Sequence, residues 1–267
     1  MDATIDLSTA AQALSLPHIR HQLIRLEDTV LFHLIERAQF PLNATIYHPG
    51  AIPIPGSHLS FSDWVLHSTE QLQSQIRRYQ SPDEYPFFPD AMQELILPEL
   101  VYPQVLWQND VNYNSELKTR YVASVLPGCC AQTGRAERAE AQENYGSAAT
   151  ADVLCLQSLS RRIHFGKFVA ESKFRQDTAR YVALIQAEDR AGIDEAITDA
   201  KVEAKVLERL RVKAEMYGAD PGLGEADAPR KIDGEAVVAM YRDHVIPLTK
   251  VVEVEYLMQR LRGTEWE

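Results

Sequence analysis

The sequence predicts an all-α chain: a single domain of roughly ten helices across residues 1–267. Three observations carry that prediction. Apolar residues recur at three- and four-residue spacing in one segment after another. No segment combines sustained alternation with β-branched enrichment, so strands are not expected. No linker separates two independent cores, and no unit of roughly 20–50 residues repeats.

The first long helix is expected over 17–38, PHIRHQLIRLEDTVLFHLIERA, with Pro17 in its first turn, where a missing N–H is harmless. Ile19, Leu23, Leu26, Val30 and Leu34 share its apolar stripe. Residues 41–57 hold four prolines and two glycines and read as a connecting loop. Residues 60–79 return to helical spacing. "SPDEYPFFPD" is a proline-broken loop whose two phenylalanines should pack. Shorter helices are expected over 90–97 and 113–126. Residues 127–148 are polar, charged and glycine-containing, and read as a surface excursion. Helices follow at 150–174, 176–187, 190–196 and 197–216. "YGADPGLGEADAP" (217–229) is an acidic loop, and 234–262 forms a last helix broken near Pro247.

Composition narrows the function. Hydrophobic residues make up 45% and charged residues 24%, ordinary for a globular protein. The net charge of −11, from 27 basic and 38 acidic residues, argues against a general nucleic-acid or acidic-membrane binder. Three cysteines make no disulfide framework and show no zinc spacing. The N-terminus has no basic stretch followed by an apolar one, and no apolar run is long enough to span a membrane. A reducing, cytoplasmic setting is expected. No phosphate-cradling, dinucleotide, nucleophile-elbow or HExxH motif is present. His164 falls on the far side of its helix from Arg162 and reads as a packing or surface residue. Cys155 reads as core.

The informative signal is charge inside apolar arcs. In "SLSRRIHFGKFVAESKF" (158–174), with Arg162 at zero, Gly166, Val169 and Lys173 fall at about +40°, −20° and +20° on a helical wheel. Two cations thus stand in an apolar face with a glycine between them, where solvated charges are not normally found. Arg20 lies centrally in the stripe of the first helix. Glu203 shares an arc with Val206, Leu207 and Leu210, with Asp199 one turn before it. Glu253 shares an arc with Ile246, Tyr256 and Leu257, with Thr249 one turn before it. Any one of these could be a paired core charge or a helix rim, since long side chains snorkel to water. Four helices with the same anomaly instead suggest one polar pocket inside the bundle, because burying unpaired charges is costly. Three cations against two or three carboxyls suit a small polyanion that also bears hydroxyls. Gly166 would leave such a ligand room against the backbone. Without a nucleophile–base pair, catalysis would rest on positioning and electrostatics.

The blocks "IRHQLIRLEDTVLFHLIERAQF", "IRRYQSPDEYPFFPD", "NYGSAATADVLCLQSLSRRIHFGKFVAESKF", "KAEMYGADP" and "VIPLTKVVEVEYL" resemble the fungal-type, all-helical chorismate mutases along nearly the whole chain. The resemblance implies an isomerase that converts chorismate to prephenate by a Claisen rearrangement, the committed step toward phenylalanine and tyrosine. It implies no cofactor and no metal. By position, it implies that Arg20 and Arg162 bind the two carboxylates and that Lys173 and a protonated Glu253 donate to the ether oxygen. Glu203 would bind the ring hydroxyl, and Thr249 would line the pocket. Asp199 stands where the fungal pattern has Asn.

The same resemblance implies a homodimer activated by tryptophan and inhibited by tyrosine. The effectors would bind between Ile76, Arg77 and Arg78 of one protomer and Asn144, Gly146, Ser147 and Thr150 of the partner subunit. Read by itself, "IRRY" is an ordinary solvated helix end. Asp233 replaces a threonine tied to the family's allosteric switch. It reads either as a helix N-cap swap or as a charge that alters switching. A catalytically inactive binding protein on the same scaffold is the alternative, and the intact charged set argues against it. A secreted chorismate mutase would need a signal peptide that the sequence does not show.

Overall fold

The computed structural model describes residues 5–130, 140–219 and 230–267. Parts of the expected surface excursion (131–139) and acidic loop (220–229) lie outside the described residues. Among the described residues there are twelve α-helical segments and no strand. They are α1 (Ala10–Ala13), α2 (Leu16–Ala38), α3 (Phe61–Gln75), α4 (Asn114–Arg120), α5 (Leu126–Cys130), α6 (Tyr145–His164), α7 (Gly166–Gln176), α8 (Thr178–Gln186), α9 (Arg190–Ile197), α10 (Ala200–Gly218), α11 (Gly234–Met240) and α12 (Ile246–Gln259). α4 joins α5, and α11 joins α12, through single π turns, which leaves ten rods.

The two π turns share a cause. Each precedes a proline: Tyr121–Val125 before Leu126–Pro127, and Tyr241–Val245 before Ile246–Pro247. A proline inside a helix lacks its N–H and clashes with the carbonyl four residues back. Widening one turn relieves the clash, so Leu126 N–H donates to Tyr121 O and Ile246 N–H donates to Tyr241 O. The break expected near Pro247 is therefore a bulge, and the rod continues through it. Tyr121 and Tyr241 are both fully buried at the start of their bulges.

Most other boundaries follow local chemistry. Aspartates cap four successive helices: Asp177 accepts from Arg180 N, Asp189 from Gly192 N, Asp199 from Lys201 N and Val202 N, and Asp233 from Glu235 N. The helix expected over 150–174 starts earlier, at Tyr145, and divides at Phe165 into α6 and α7. The helix expected over 90–97 is absent beyond one short turn, Pro89–Ala91. Its backbone donors go elsewhere: Gln93 N donates to Ser74 Oγ at 3.0 Å and Ile96 N to Gln75 O at 2.9 Å. Pro98 also biases Leu97 toward extended backbone.

The long α6 runs through the centre, packed on α2 and α3, while α12 packs on α7, α9 and α6. The main core joins Val30, Leu34, Tyr121, Leu126, Val153, Leu159, Ile163, Leu210, Tyr241 and Val252. Fully satisfied polar groups lock the frame. Buried Arg37 donates to Asp152 at 2.6 Å, and Tyr47 and Tyr121 donate to the same carboxylate at 2.6 and 2.8 Å. Glu70 accepts from Phe87 N and Phe88 N, both at 2.9 Å, so the phenylalanine-bearing loop is packed as expected. Buried Lys167 donates to Asn109 Oδ1 at 2.8 Å and Val111 O at 2.6 Å, which ties the 105–113 strap to α7.

Candidate active site

Three helices bring a charged cluster together. The last turn of α6 supplies Arg162, the last turn of α7 supplies Lys173, and α12 supplies Thr249 and Glu253. Glu253 is only 7% exposed. Burial pushes its carboxyl up to about 8, although Lys173, Arg162 and Lys250 all pull it down; Asp194 on α9 pushes the same way as burial. At neutral pH the carboxyl therefore keeps its proton and can donate a hydrogen bond.

Arg162 is 6% exposed, and its Nε finds no hydrogen-bond partner among the described residues. Its guanidinium lies 5.9 Å from the centre of the Tyr241 ring. A buried guanidinium with an unused N–H is costly unless an anion satisfies it. Lys173 Nζ donates to Ile197 O, at the negative end of α9, which leaves two N–H groups for other acceptors. Thr249 Oγ1 donates to Val245 O at 2.7 Å, so its oxygen remains an acceptor.

Gly166 has a different reason from the one expected. A Cβ there would lie 2.9 Å from Thr249 Cγ2, 3.0 Å from Glu253 Cγ and 3.2 Å from Thr249 O. The glycine lets α12 approach α7 and sets the position of Glu253; the space beside it holds α12. Val169 is half-buried and packs against the cluster that contains Ile5, Leu14, Ile19 and Phe168.

Two further corrections concern the outer residues. Arg20 is exposed, as is Ile24, which shares its side of α2. The buried line runs instead through Ile19, Leu26, Val30 and Leu34. A wheel centred on Arg20 overcounts apolar neighbours because Ile24 is not covered. Asp199 is not a helical residue on the inner face. It is the exposed N-cap of α10, outside the first turn. Glu203, half-buried in that first turn, is paired with Lys250 of α12, Nζ to Oε1 at 2.7 Å.

Sequence reasoning missed Lys250, Tyr241 and Asp194. Only Lys250 left a signal, three residues before Glu253 on one helix and of opposite sign. His164 is a packing residue, as expected, but is fully buried. Its Nδ1–H faces Ser160 O, its Nε2 accepts from Tyr113 N at 3.0 Å, and burial holds it neutral with a pKa of about 3. Cys155 lies in the core, also as expected.

The effector positions lie apart from this cluster, at the end of α3 and the start of α6. "IRRY" is not a solvated helix end. Arg78 is buried and paired in its own chain, Nε and Nη2 to Glu84 Oε2 at 3.1 and 2.9 Å. Arg77 adopts a left-handed conformation (φ 72°) and donates to Pro98 O at 3.1 Å. Ile76 is exposed. Asn144 precedes the first turn of α6, and Gly146, Ser147 and Thr150 are exposed on its first turns. Asp233 is the N-cap of α11, which matches the simpler of its two readings.

Two concavities lie elsewhere. One, of about 350 Å³, is lined by Tyr47, Ser60, Asp63, Lys118 and Tyr121, and the other follows the 49–59 loop. Neither contains the charged cluster.

Comparison with known proteins bears on this arrangement. The family model described as chorismate mutase type II matches residues 144–254, which include Arg162, Lys173, Glu203 and Glu253. A chorismate mutase of Emericella nidulans is 66% identical over 268 residues, covering all of both chains. That of Saccharomyces cerevisiae is 46% identical over 96% of this chain and 99% of its own. The crystal structure of a Candida albicans chorismate mutase in complex with L-Trp superposes with a TM-score of 0.91 at 43% identity, covering 98% and 97% of the two chains. The AtCM1 structure with tyrosine bound in its allosteric site gives a TM-score of 0.82 at 38% identity, covering 94% and 98%. With an all-helical fold, a buried cluster suited to a polyanion and full-length identity of this order, the chain belongs to the chorismate mutase family.

Proposed function

We propose that the chain rearranges chorismate to prephenate by holding the substrate in a compact chair and by donating hydrogen bonds to its ether oxygen. The observation that carries this reading is the pairing of Arg162, buried with an unused Nε–H, with Glu253, kept protonated among apolar neighbours beside Lys173. In the reaction one C–O bond breaks and one C–C bond forms within the same molecule. The ether oxygen becomes the carbonyl oxygen of the pyruvyl group, so no proton or electron leaves. Negative charge grows on that oxygen in the transition state. Lys173 and the Glu253 carboxyl donate to it there, in a site where little water competes.

Arg162 binds one carboxylate as a planar fork. Arg20, reaching in from the open face of α2, binds the other. Glu203 accepts from the ring hydroxyl, and Thr249 lines the wall. Asp199 acts on this site only as the cap that sets the first turn of α10. The rearrangement requires no cofactor or metal.

Regulation follows the same logic. Trp64 and Leu72 of α3 and Ile76, the residue just after it, are 40%, 62% and 37% exposed, and Leu154 of the adjoining α6 is 42% exposed. This apolar face suits a second copy of the chain, which would bring Ile76, Arg77 and Arg78 against Asn144, Gly146, Ser147 and Thr150 of the partner subunit. Relatives with tryptophan or tyrosine bound support those amino acids as effectors. Because Arg78 already pairs with Glu84, an effector carboxylate must share or displace that partner. The cysteines are buried and none forms a disulfide among the described residues, which fits a reducing cytoplasm.

The test is a chorismate-depletion assay with and without tryptophan and tyrosine. Chorismate loss with stoichiometric prephenate, accelerated by tryptophan and slowed by tyrosine, is the expected result. No loss of chorismate would overturn the catalytic reading. Identical rates at saturating effectors would overturn the regulatory one.

A further inference from the structure

We propose that Lys250 is a positioning residue for this reaction: it anchors Glu203 across the α10–α12 boundary and tunes the charge around Glu253. The proposal rests on the reading above, in which Glu203 takes the substrate hydroxyl and Glu253 donates to the ether oxygen.

The geometry is specific. Glu203 sits in the first turn of α10, a helix that packs chiefly against α11 and α2. That turn is open to solvent, with Asp199 and Lys201 exposed and Val202 49% exposed. A carboxylate there has no covering wall of its own and would sample several rotamers. The Lys250 ammonium, 2.7 Å from Oε1, ties it to α12, the helix that carries Thr249 and Glu253. The side chains of the pair are 27% and 31% exposed, so the contact is partly shielded. Lysine uses one carboxylate oxygen and leaves Oε2 to accept from a hydroxyl. Lys250 is adjacent to Thr249 in sequence and three residues before Glu253, so one helix turn presents all three groups.

The second effect is electrostatic. Glu253 faces Lys173 of α7, Arg162 of α6, Asp194 of α9 and Tyr181 of α8, besides Lys250 of its own helix. Three of these are cations that favour its ionised form. Among the described residues, Lys250 differs from Lys173 and Arg162 in having a carboxylate of its own within ion-pair distance. Glu203 neutralises Lys250 locally and limits its pull on the Glu253 proton. The pair therefore fixes the hydroxyl acceptor and moderates the local positive charge at once.

The experiment compares wild type, K250M, K250R, E203Q and E253Q by kcat, KM and activity from pH 6 to 10. K250M should raise KM for chorismate about two- to fivefold, the scale of losing one partly shielded ion pair. It should keep its kcat at pH 6, and it should move the alkaline loss of activity to higher pH, because one cation facing Glu253 is gone. K250R should restore both. E203Q should reproduce the KM rise, and E253Q should abolish the alkaline loss. If K250M leaves either KM or the alkaline limb unmoved while E253Q flattens the limb, the assignment of Lys250 is wrong and the reading of Glu253 stands. If E253Q keeps the alkaline limb, the reading of Glu253 fails and the proposal falls with it.

Discussion

Gly166 and Glu253 are set by each other: a Cβ on the glycine would lie 3.0 Å from Glu253 Cγ. The backbone Thr249 O, 3.2 Å from the same point, cannot rotate away, so α12 itself must shift. Gly166→Ala is therefore expected to move α12 by a few tenths of an ångström and to lower kcat by up to about tenfold, less than the loss from a full ångström of misplacement. Stability should fall by about 0–2 kcal/mol, because overpacking costs about 1–3 kcal/mol while alanine gains about 1 kcal/mol in helix propensity. Steady-state rates and a urea midpoint measured on the same variant check this. A fully active Gly166→Ala would show that the close approach does not position Glu253.

Activity should be lost as pH rises through about 8. The Glu253 carboxyl lies above its ordinary value, so it is protonated below that pH and ionises above it, which removes the donor to the ether oxygen. Linkage runs the same way. Between the ordinary carboxyl range and about 8 the folded chain holds a proton that the unfolded chain releases, so this group's contribution to stability falls as pH rises. Glu253→Gln should keep activity with a flat profile. Coincident profiles for the two proteins would remove Glu253 from the mechanism.

Arg161 and Arg162 are adjacent but face different tasks. Arg161 pairs with Asp83 and lies 3.9 Å from Glu84, both in the 81–90 loop. Arg162→Ala should cut kcat/KM by about 10²–10⁴, the loss of a charge-assisted carboxylate contact. Arg161→Ala should cost activity less than about tenfold and lower the thermal midpoint instead. Parallel activity and melting measurements on the two variants decide it.

Asp152 holds the centre of the frame. It accepts from Arg37, Tyr47 and Tyr121, and both members of the ion pair are buried. Asp152→Ala would strand the Arg37 guanidinium and is expected to destabilise the fold by about 3–5 kcal/mol. Denaturant unfolding reads this directly. A shift under about 1 kcal/mol would show that water replaces the carboxylate without cost.

The apolar face of α3 predicts its own disruption. Leu72 is 62% exposed in the single chain, so a charge there cannot disturb the core. Leu72→Glu should yield a folded monomer by light scattering that no longer responds to tryptophan or tyrosine. A dimer that keeps both responses would place the interface elsewhere.

The helices and the inward charges on α6, α7 and α12 were legible because their signals are local. Periodicity marks Arg162, Lys173 and Glu253 as charges in apolar arcs, and aspartates before α8, α9, α10 and α11 announce their starts. Legibility failed where neighbours in space replace neighbours in sequence. Residues 92–97 have a helix-like composition, yet their donors are taken by Ser74 and Gln75. Arg20 sits among apolar residues on a wheel, yet both it and Ile24 are exposed among the described residues.

Pro247 marks an irregularity in any reading, but whether the chain stops or widens there depends on packing. The Tyr241 ring, fully buried in the main core, favours continuation of the helix. Local spacing thus settled where most of the helices run and which charges on α6, α7 and α12 stand in apolar arcs, since backbone geometry fixes both within a few residues. Which charges meet was settled by the packing of helices far apart in sequence. The energy of a buried ion depends on its partners' distance and on excluded water, and neither is a property of its own helix. Glu203 found Lys250, Arg78 found Glu84, and Glu253 found a setting that keeps its proton, each through contacts that no local pattern announces.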